Sequence, residues 1–186
     1  VFGLTPIEVS NDQRRAAKAI NFGLIYGMSA FGLAKQIGVD RTAAQAYMDR
    51  YFARYPGVAR YMEETRAGAR DKGYVETVFG RRLWLPEIRS SNAGRRGNAE
   101  RAAINAPMQG TAADLIKVAM LAIHRRLQRE ALQARMLLQI HDELVFETPE
   151  KEAQKLIEIA KDVMGKATAP NVQLNVPLVV EATAGK

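Results

Sequence analysis

The segment that most constrains the fold is RMLLQIHDELVFET, residues 135–148, in which two apolar runs flank the polar triplet His-Asp-Glu. Both runs are rich in residues that favour strands, and the charged centre is typical of a junction between strands. The segment therefore predicts two strands joined at its middle. Because the rest of the chain mostly favours helices, we expect an α+β fold, mostly helical, with a small antiparallel sheet in the second half.

Capping residues, glycines and prolines mark the other boundaries. Ser10 followed by Gln13 has the pattern of a capping box and predicts a helix over about 11–27. Further signals predict helices from Asp40 to Pro56 and from Val58 to Asp71, a hairpin around Gly80, a basic loop over 90–98, a helix from Asn98 to Ala131 that bends at Pro107 and Gly110, a helix from Thr148 to Gly165 and a final strand over 176–182.

The first predicted helix carries two cations and two aromatic rings at a spacing of four: Arg14, Lys18, Phe22 and Tyr26. Side chains four residues apart form one ladder on a helix surface. The cationic end lies near the positive helix N-terminus, which attracts phosphate, and the other end is flat and apolar. A nucleoside triphosphate would match this ladder. An ordinary amphipathic helix with its aromatic residues in the core has the same pattern.

The charged centre of the predicted strand pair is a candidate metal site. A charge in an apolar hairpin is costly unless it has a partner, and Mg²⁺ favours one or two carboxylates together with substrate phosphates. Asp142 is the predicted ligand, since the neighbouring Glu143 would point to the opposite face of the strand. A site with two metal ions needs another carboxylate from a different element, for which Asp114 and Glu147 are candidates. A solvent-exposed turn is the alternative.

A second ladder of four-residue spacing consists of Arg101, Asn105 and Gln109, which all donate hydrogen bonds. In the minor groove every base pair offers similar acceptors, so these side chains could hold a duplex while hardly reading its sequence. Such binding suits an enzyme that copies any template. A polar, solvated helix face would look the same.

The composition favours a polyanionic partner. The 186 residues include 27 Lys and Arg against 20 Asp and Glu, which gives a net charge of +7 and favours nucleic acid first and an acidic membrane surface second. The absence of Cys excludes disulfides and cysteine nucleophiles, and two His leave little room for a histidine-rich metal site. No apolar run approaches the ~20 residues of a membrane span, so we expect a cytoplasmic protein that does not bind a membrane.

Three motifs, in this order, resemble those of the family A DNA polymerases, most closely the bacterial members: RRAAKAINFGLIYG, INAPMQGTAADLIK and QIHDELVFE. The resemblance covers essentially the whole chain. It implies that residues 1–97 form a fingers subdomain, with the nucleotide-binding helix at about 11–27. Residues 98–186 would form part of a palm, with a metal-binding hairpin over 136–148. The resemblance also implies that the upstream palm motif and the thumb are absent from this chain.

The resemblance implies roles for the first ladder. Arg14 and Lys18 would contact the phosphates of the incoming nucleotide, and Lys18 would donate a proton to the leaving pyrophosphate. Phe22 would pack against the sugar and base of the nucleotide. Tyr26 would lie beside the templating position and so contact DNA as well.

Further roles are implied for the second half of the chain. Asp142 would hold catalytic Mg²⁺, Glu143 would support it, and His141 would lie near the primer end. The residues implied to contact the primer–template duplex are Arg101, Asn105 and Gln109, with Arg95 and Arg96 on its backbone.

The implied activity is template-directed transfer of a nucleotide from a dNTP to the primer 3′ hydroxyl, with two Mg²⁺ ions. Since the family places a second metal-binding carboxylate upstream, we expect this chain to need the remainder of a polymerase and to be inactive alone. In a bacterium we expect it at the nucleoid. The competing hypotheses are a non-catalytic nucleic-acid-binding module, which would have no reason to carry Asp142, and a phosphohydrolase, which would need more metal ligands than two His permit.

Overall fold

The computed structural model describes residues 5, 7–169 and 172–185. The chain divides into two compact units. The first unit contains residues 1–75 and 82–105, and the second contains residues 76–81 and 106–186. The chain passes between the units within a short hairpin and again within its longest helix.

Four helices form most of the first unit. Each of the first three begins at a side chain, Ser10, Ser29 or Asp40, that accepts a hydrogen bond from a backbone amide three residues later. Pro56 occupies the first turn of the fourth helix, where its missing N–H is not needed. The helices are α1 (Asn11–Ile25), α2 (Ala30–Ile37), α3 (Arg41–Arg54) and α4 (Pro56–Lys72).

The core of the first unit lies among α1, α2 and α3. Ile20 and Leu24 of α1 are almost fully buried, as is Leu33 of α2. Ala44 and Tyr51 of α3 complete the cluster. Because Ile20 and Leu24 are four residues apart, they direct one face of α1 inward, and the opposite face is left to solvent.

A short hairpin connects α4 to the longest helix. Strand β1 (Tyr74–Glu76) pairs with strand β2 (Arg82–Trp84), and the predicted turn at Gly80 has a positive φ of 80°. Helix α5 (Ala93–Arg129) follows and runs without interruption through Pro107. The predicted basic loop over 90–98 is therefore wrong in its second half. The Asn92 side chain accepts hydrogen bonds from the amides of residues 94 and 95 and so starts the helix earlier.

The second unit contains the predicted strand pair. Strands β3 (Arg135–Ile140) and β4 (Glu143–Glu147) are antiparallel, and helix α6 (Ala153–Gly165) follows. The inner face of the hairpin packs on a core formed by the end of α5 and by α6. The core residues are Ile123, Leu127, Leu156, Ile159 and Ala160, and Met136, Leu144 and Phe146 of the hairpin pack against them.

The mostly helical α+β fold with small antiparallel sheets is thus confirmed. The final strand predicted over 176–182 is wrong, since no strand is present within the described residues 172–185. Val176 and Val179 of this segment are largely exposed, because an apolar run forms a strand only when a neighbouring strand pairs with it. In the described part of the chain, no helix is long and apolar enough to cross a membrane.

Ion pairs join α5 to α6 in the second unit. Arg126 of α5 donates to Glu130 and to Asp162 of α6, each at 2.8 Å. Lys155 of α6 lies 2.9 Å from the other oxygen of Glu130. The hydrogen bonds from Lys155 and Arg126 lower the pKa of Glu130 from 4.5 to about 2.

This lowered pKa predicts how the thermal stability of the chain depends on pH. A carboxylate whose pKa falls on folding stabilises the fold above its unfolded pKa, and that contribution is lost as the pH falls from 4.5 towards about 2. Glu130→Gln should therefore lower Tm at pH 7, and the difference from the parent chain should shrink over this range. Glu158→Gln is the control, because Glu158 is exposed and, among the described residues, accepts a hydrogen bond from Gln154 alone. A Tm difference that is independent of pH would contradict the prediction.

Candidate nucleotide and nucleic-acid site

All four side chains of the first ladder lie on the solvent-exposed face of α1, opposite Ile20 and Leu24. Phe22 is 51% exposed and Tyr26 is 37% exposed. Their rings stack with centroids 6.2 Å apart and an angle of 24° between the planes. These aromatic residues are therefore not part of the core, and they offer an apolar surface on which a flat ligand could lie.

The cationic end of the ladder lies at a capped helix start. The predicted capping box is confirmed, since Ser10 Oγ accepts from the Gln13 amide at 3.2 Å and Gln13 Oε1 accepts from the Ser10 amide at 2.9 Å. Arg15 pairs with Asp12 at 2.8 Å. Arg14 and Lys18, in contrast, form no ion pair with any residue that the structure describes. Both cations can therefore bind an anion without breaking an existing pair.

The aromatic end of the ladder adjoins a residue of the second ladder. Gly27 follows α1 with a φ of 77°, and a Cβ atom there would lie 3.3 Å from Ile104 Cδ1 and 3.5 Å from Arg101 Cγ. Glycine thus allows both the left-handed turn and close packing against α5. As a result, Tyr26 and Arg101, which were predicted on separate helices, line one cleft of about 340 Å³. Sequence reasoning missed its other lining residues, Gly23, Met28 and Ser29.

The second ladder lies on α5. Arg101 and Gln109 are exposed, whereas Asn105 is half-buried and its Oδ1 has no hydrogen-bond partner among the described residues. Tyr61 of α4 donates to the Ile104 carbonyl at 2.9 Å, next to the turn where Pro107 removes a backbone donor. Tyr61 therefore holds the helix at Ile104, the residue before Asn105, and no pattern in the sequence indicated this contact.

Arg95 and Arg96 stand at the start of α5 and already have partners. Arg95 lies 3.6 Å from a Glu87 oxygen but remains well exposed. Arg96 is half-buried and donates to the Ser90 carbonyl at 2.8 Å. Arg95 is therefore the more accessible of the two to a phosphate, whereas Arg96 also holds the chain that leads into the helix.

The predicted metal-binding residues lie at the tip of the β3–β4 hairpin. Ile140 pairs with Glu143, so His141 and Asp142 form a two-residue turn, in which His141 has a φ of 54°. Gln139 Nε2 donates to the His141 carbonyl at 2.6 Å and stabilises this turn. His141, Asp142 and Glu143 are exposed. The cost of burying charge therefore does not apply to them, and Asp142 presents its oxygens to solvent, where Mg²⁺ and phosphates could reach them.

Neither Asp114 nor Glu147, the candidates for a second metal-binding carboxylate, forms a metal-binding cluster with Asp142. Asp114 is 13% exposed and accepts from Arg81 Nε at 2.7 Å, while Arg81 also donates to the Gly110 carbonyl at 3.0 Å. Glu147 of β4 lies opposite Arg135 of β3 in the strand register, at the end of the hairpin away from Asp142. Within the part of the chain that the structure describes, no cluster of three or more His, Asp or Glu side chains could hold a metal ion.

Comparisons with known proteins lead to the same family as the sequence motifs. The profile of DNA polymerase family A matches residues 1–186. Over the whole chain, the sequence is 62% identical to DNA polymerase I of Pseudomonas aeruginosa, and it is 52% identical to DNA polymerase I of Rhizobium leguminosarum over 99% of the chain. The chain spans 20% and 18% of these relatives.

A solved structure is also similar. Described as the POL domain of Pol1 from M. smegmatis in complex with DNA primer-template and dNTP, it matches with a TM-score of 0.89 and 45% identity. The match covers 95% of this chain and 30% of that one.

Proposed function

The chain belongs to DNA polymerase family A, and from this premise we propose that it is the part of a bacterial polymerase that binds the incoming dNTP and the primer–template duplex. The observation that carries the proposal is the exposed ladder of α1. Two cations that form no ion pair with a described residue lie near its capped N-terminus, and two stacked rings lie at the other end. The solved relative with primer-template and dNTP supports the same pair of ligands.

We propose that the nucleotide lies along α1. Arg14 and Lys18 would bind the triphosphate, where their charge adds to that of the helix N-terminus. Phe22 would pack against the sugar and base. Tyr26 would lie beside the templating base, and the cleft that it shares with Arg101 would place duplex contacts next to that base.

The primer–template duplex would lie along the polar face of α5. Arg101, Asn105 and Gln109 would donate to minor-groove acceptors. Arg95 would contact the backbone, with Arg96 beside it, and His141 would lie near the primer end.

For catalysis, Asp142 would hold Mg²⁺ and Glu143 would support it, because an exposed carboxylate at a two-residue turn suits an ion that also binds substrate phosphates. Two bound Mg²⁺ ions would supply activation of the primer hydroxyl and neutralisation of charge at the phosphates. The primer 3′ hydroxyl would lose its proton to solvent, its oxygen would form a bond to the α-phosphorus, and the bond from that phosphorus to pyrophosphate would break. Lys18 would give the leaving pyrophosphate its proton.

We further propose that residues 1–97 are fingers and 98–186 part of a palm, and that activity requires the remainder of the polymerase chain. Asp114 is already paired with Arg81, and Glu147 lies at the far end of the hairpin from Asp142, so neither is placed as a second carboxylate. Such an enzyme would act in the cytoplasm, at the nucleoid, where the template lies.

A gel shift and a single-nucleotide extension on one primer–template would test this proposal. The 186-residue chain should bind the duplex without extending the primer in Mg²⁺. Gln109→Ala should raise Kd about fivefold, the cost of one lost hydrogen bond of ~1 kcal/mol. Asp142→Asn should leave Kd unchanged. Lack of duplex binding would contradict the proposal, and extension that Asp142→Asn abolishes would show that the second ligand lies within this chain. Hydrolysis of dNTP without primer would favour a phosphohydrolase instead.

A further inference from the structure

One face of the β1–β2 hairpin carries an aromatic pair that the proposed nucleotide and duplex contacts leave unused. The indole of Trp84 lies 4.9 Å from the ring of Tyr74, with the planes tilted by 59°. The guanidinium of Arg82 lies over the same Tyr74 ring, 4.5 Å from its centroid. Arg82, Tyr74 and Trp84 therefore form one row, which we call the hairpin platform.

The hairpin platform is open to solvent although it is largely apolar. Trp84 is 63% exposed, whereas its neighbour Leu85 and the Tyr74 neighbour Val75 are 5% and 8% exposed. Adjacent residues of a strand point to opposite faces, so burying Val75 and Leu85 turns Tyr74 and Trp84 outward. Exposing an indole is unfavourable, and a ligand that stacks on it would remove that cost.

The surroundings of the hairpin platform favour an anionic ligand. Residues 70–96 contain seven Lys and Arg against three Asp and Glu, and two further acids, Glu100 and Asp114, pair with Arg70 and Arg81. The cations still outnumber the acids, by seven to five. Arg89 donates to the carbonyls of Arg70 and Asp71, at 2.5 and 2.6 Å, and so ties the segment after β2 to the end of α4. The platform thus rests on a fixed support in a positive field, which suits a polyanion with flat rings.

We propose that the hairpin platform binds single-stranded nucleic acid, with an unpaired base stacked on Trp84 and Tyr74 and the cationic surroundings attracting its phosphates. Proteins that bind single strands without sequence preference combine exposed aromatic rings with a positive groove, since every base has a face that can stack. The inference rests on the proposed function, in which the template strand beyond the copied base is single-stranded.

Trp84 is the only tryptophan of the chain, so its fluorescence reports directly on this site. Titration with a twelve-residue oligothymidylate should quench the emission, while a blunt duplex of the same length should quench it much less. Trp84→Ala should raise Kd for the oligothymidylate about fivefold or more, as measured by anisotropy of a labelled strand, and Trp84→Phe should keep most of the affinity because it keeps a ring.

Leu83→Ala is the matched control, since Leu83 is also exposed and lies on the same strand but points to the opposite face. It should leave Kd unchanged, and circular dichroism would verify the fold of each variant. The platform would be overturned if the oligothymidylate binds the parent chain without changing its Trp84 emission and binds Trp84→Ala with equal affinity. The duplex proposal would still stand. The single-strand proposal would also be overturned if a second copy of the chain covers the platform. That outcome would appear as a dimer that Trp84→Ala dissociates. Failure to bind either strand form would overturn both proposals.

Discussion

If the proposed function is right, replacing Asp142 by Asn in a family A polymerase that carries these residues is expected to lower kcat for nucleotide incorporation by about 10³-fold, the order found when one preorganised electrostatic contact is lost from a transition state. Asparagine keeps the shape of the side chain and removes its charge. Because Asp142 is exposed in a two-residue turn, the fold should be unaffected. Single-turnover incorporation would measure the chemical step, and thermal unfolding would verify the fold.

Glu147→Gln is the control for this experiment, since Glu147 is an exposed acid on the same hairpin, at the end opposite Asp142. It should change kcat less than about threefold, as expected of a surface carboxylate far from the reaction. A loss comparable to that of Asp142→Asn would show that Glu147 is the second metal ligand. If Asp142→Asn keeps kcat within tenfold of the parent enzyme, the assignment of Asp142 as a catalytic metal ligand is wrong.

The parts of the fold that could be predicted from sequence depend on contacts between residues that are close together along the chain. Ser10 and Asp40 start helices by bonding amides three residues away, and Gly73 ends α4 in a left-handed conformation. Asn92 obeys the same rule but was overlooked, because the glycines that follow it resemble a loop. The strand expected over 176–182 failed for a different reason, since a strand depends on a partner that local sequence does not specify.

The candidate site also has features that local sequence predicts and features that it does not. Helical spacing predicted that Arg14, Lys18, Phe22 and Tyr26 share a face, but spacing does not decide whether that face is buried. The burial of Ile20 and Leu24 decides it. The contacts that support the site join residues far apart in sequence, such as Tyr61 with Ile104 and Arg81 with Asp114. Such contacts have no local signature, so only the structure could show them.

Lys18→Ala should lower kcat by about 10² to 10⁴-fold, the range for a positioned proton donor, and should also raise KM for the dNTP because a phosphate contact is lost. Lys18→Arg separates the two effects. Arginine keeps the charge but does not release its proton near neutral pH, so KM should largely recover while kcat stays low. Pre-steady-state incorporation by a family A polymerase that carries these residues would measure both quantities.

Arg15→Ala provides the comparison for Lys18, because Arg15 lies on the same turn of α1 but pairs with Asp12. Its loss should leave kcat and KM within about twofold, as for most exposed ion pairs. If Lys18→Ala raises KM and keeps kcat, then Lys18 only binds phosphate and the proton must come from another group. If Arg15→Ala has the larger effect, Arg15 rather than Lys18 binds the phosphates, because residue 15 lies seven positions before Phe22 and so shares the face of α1 that carries the stacked rings.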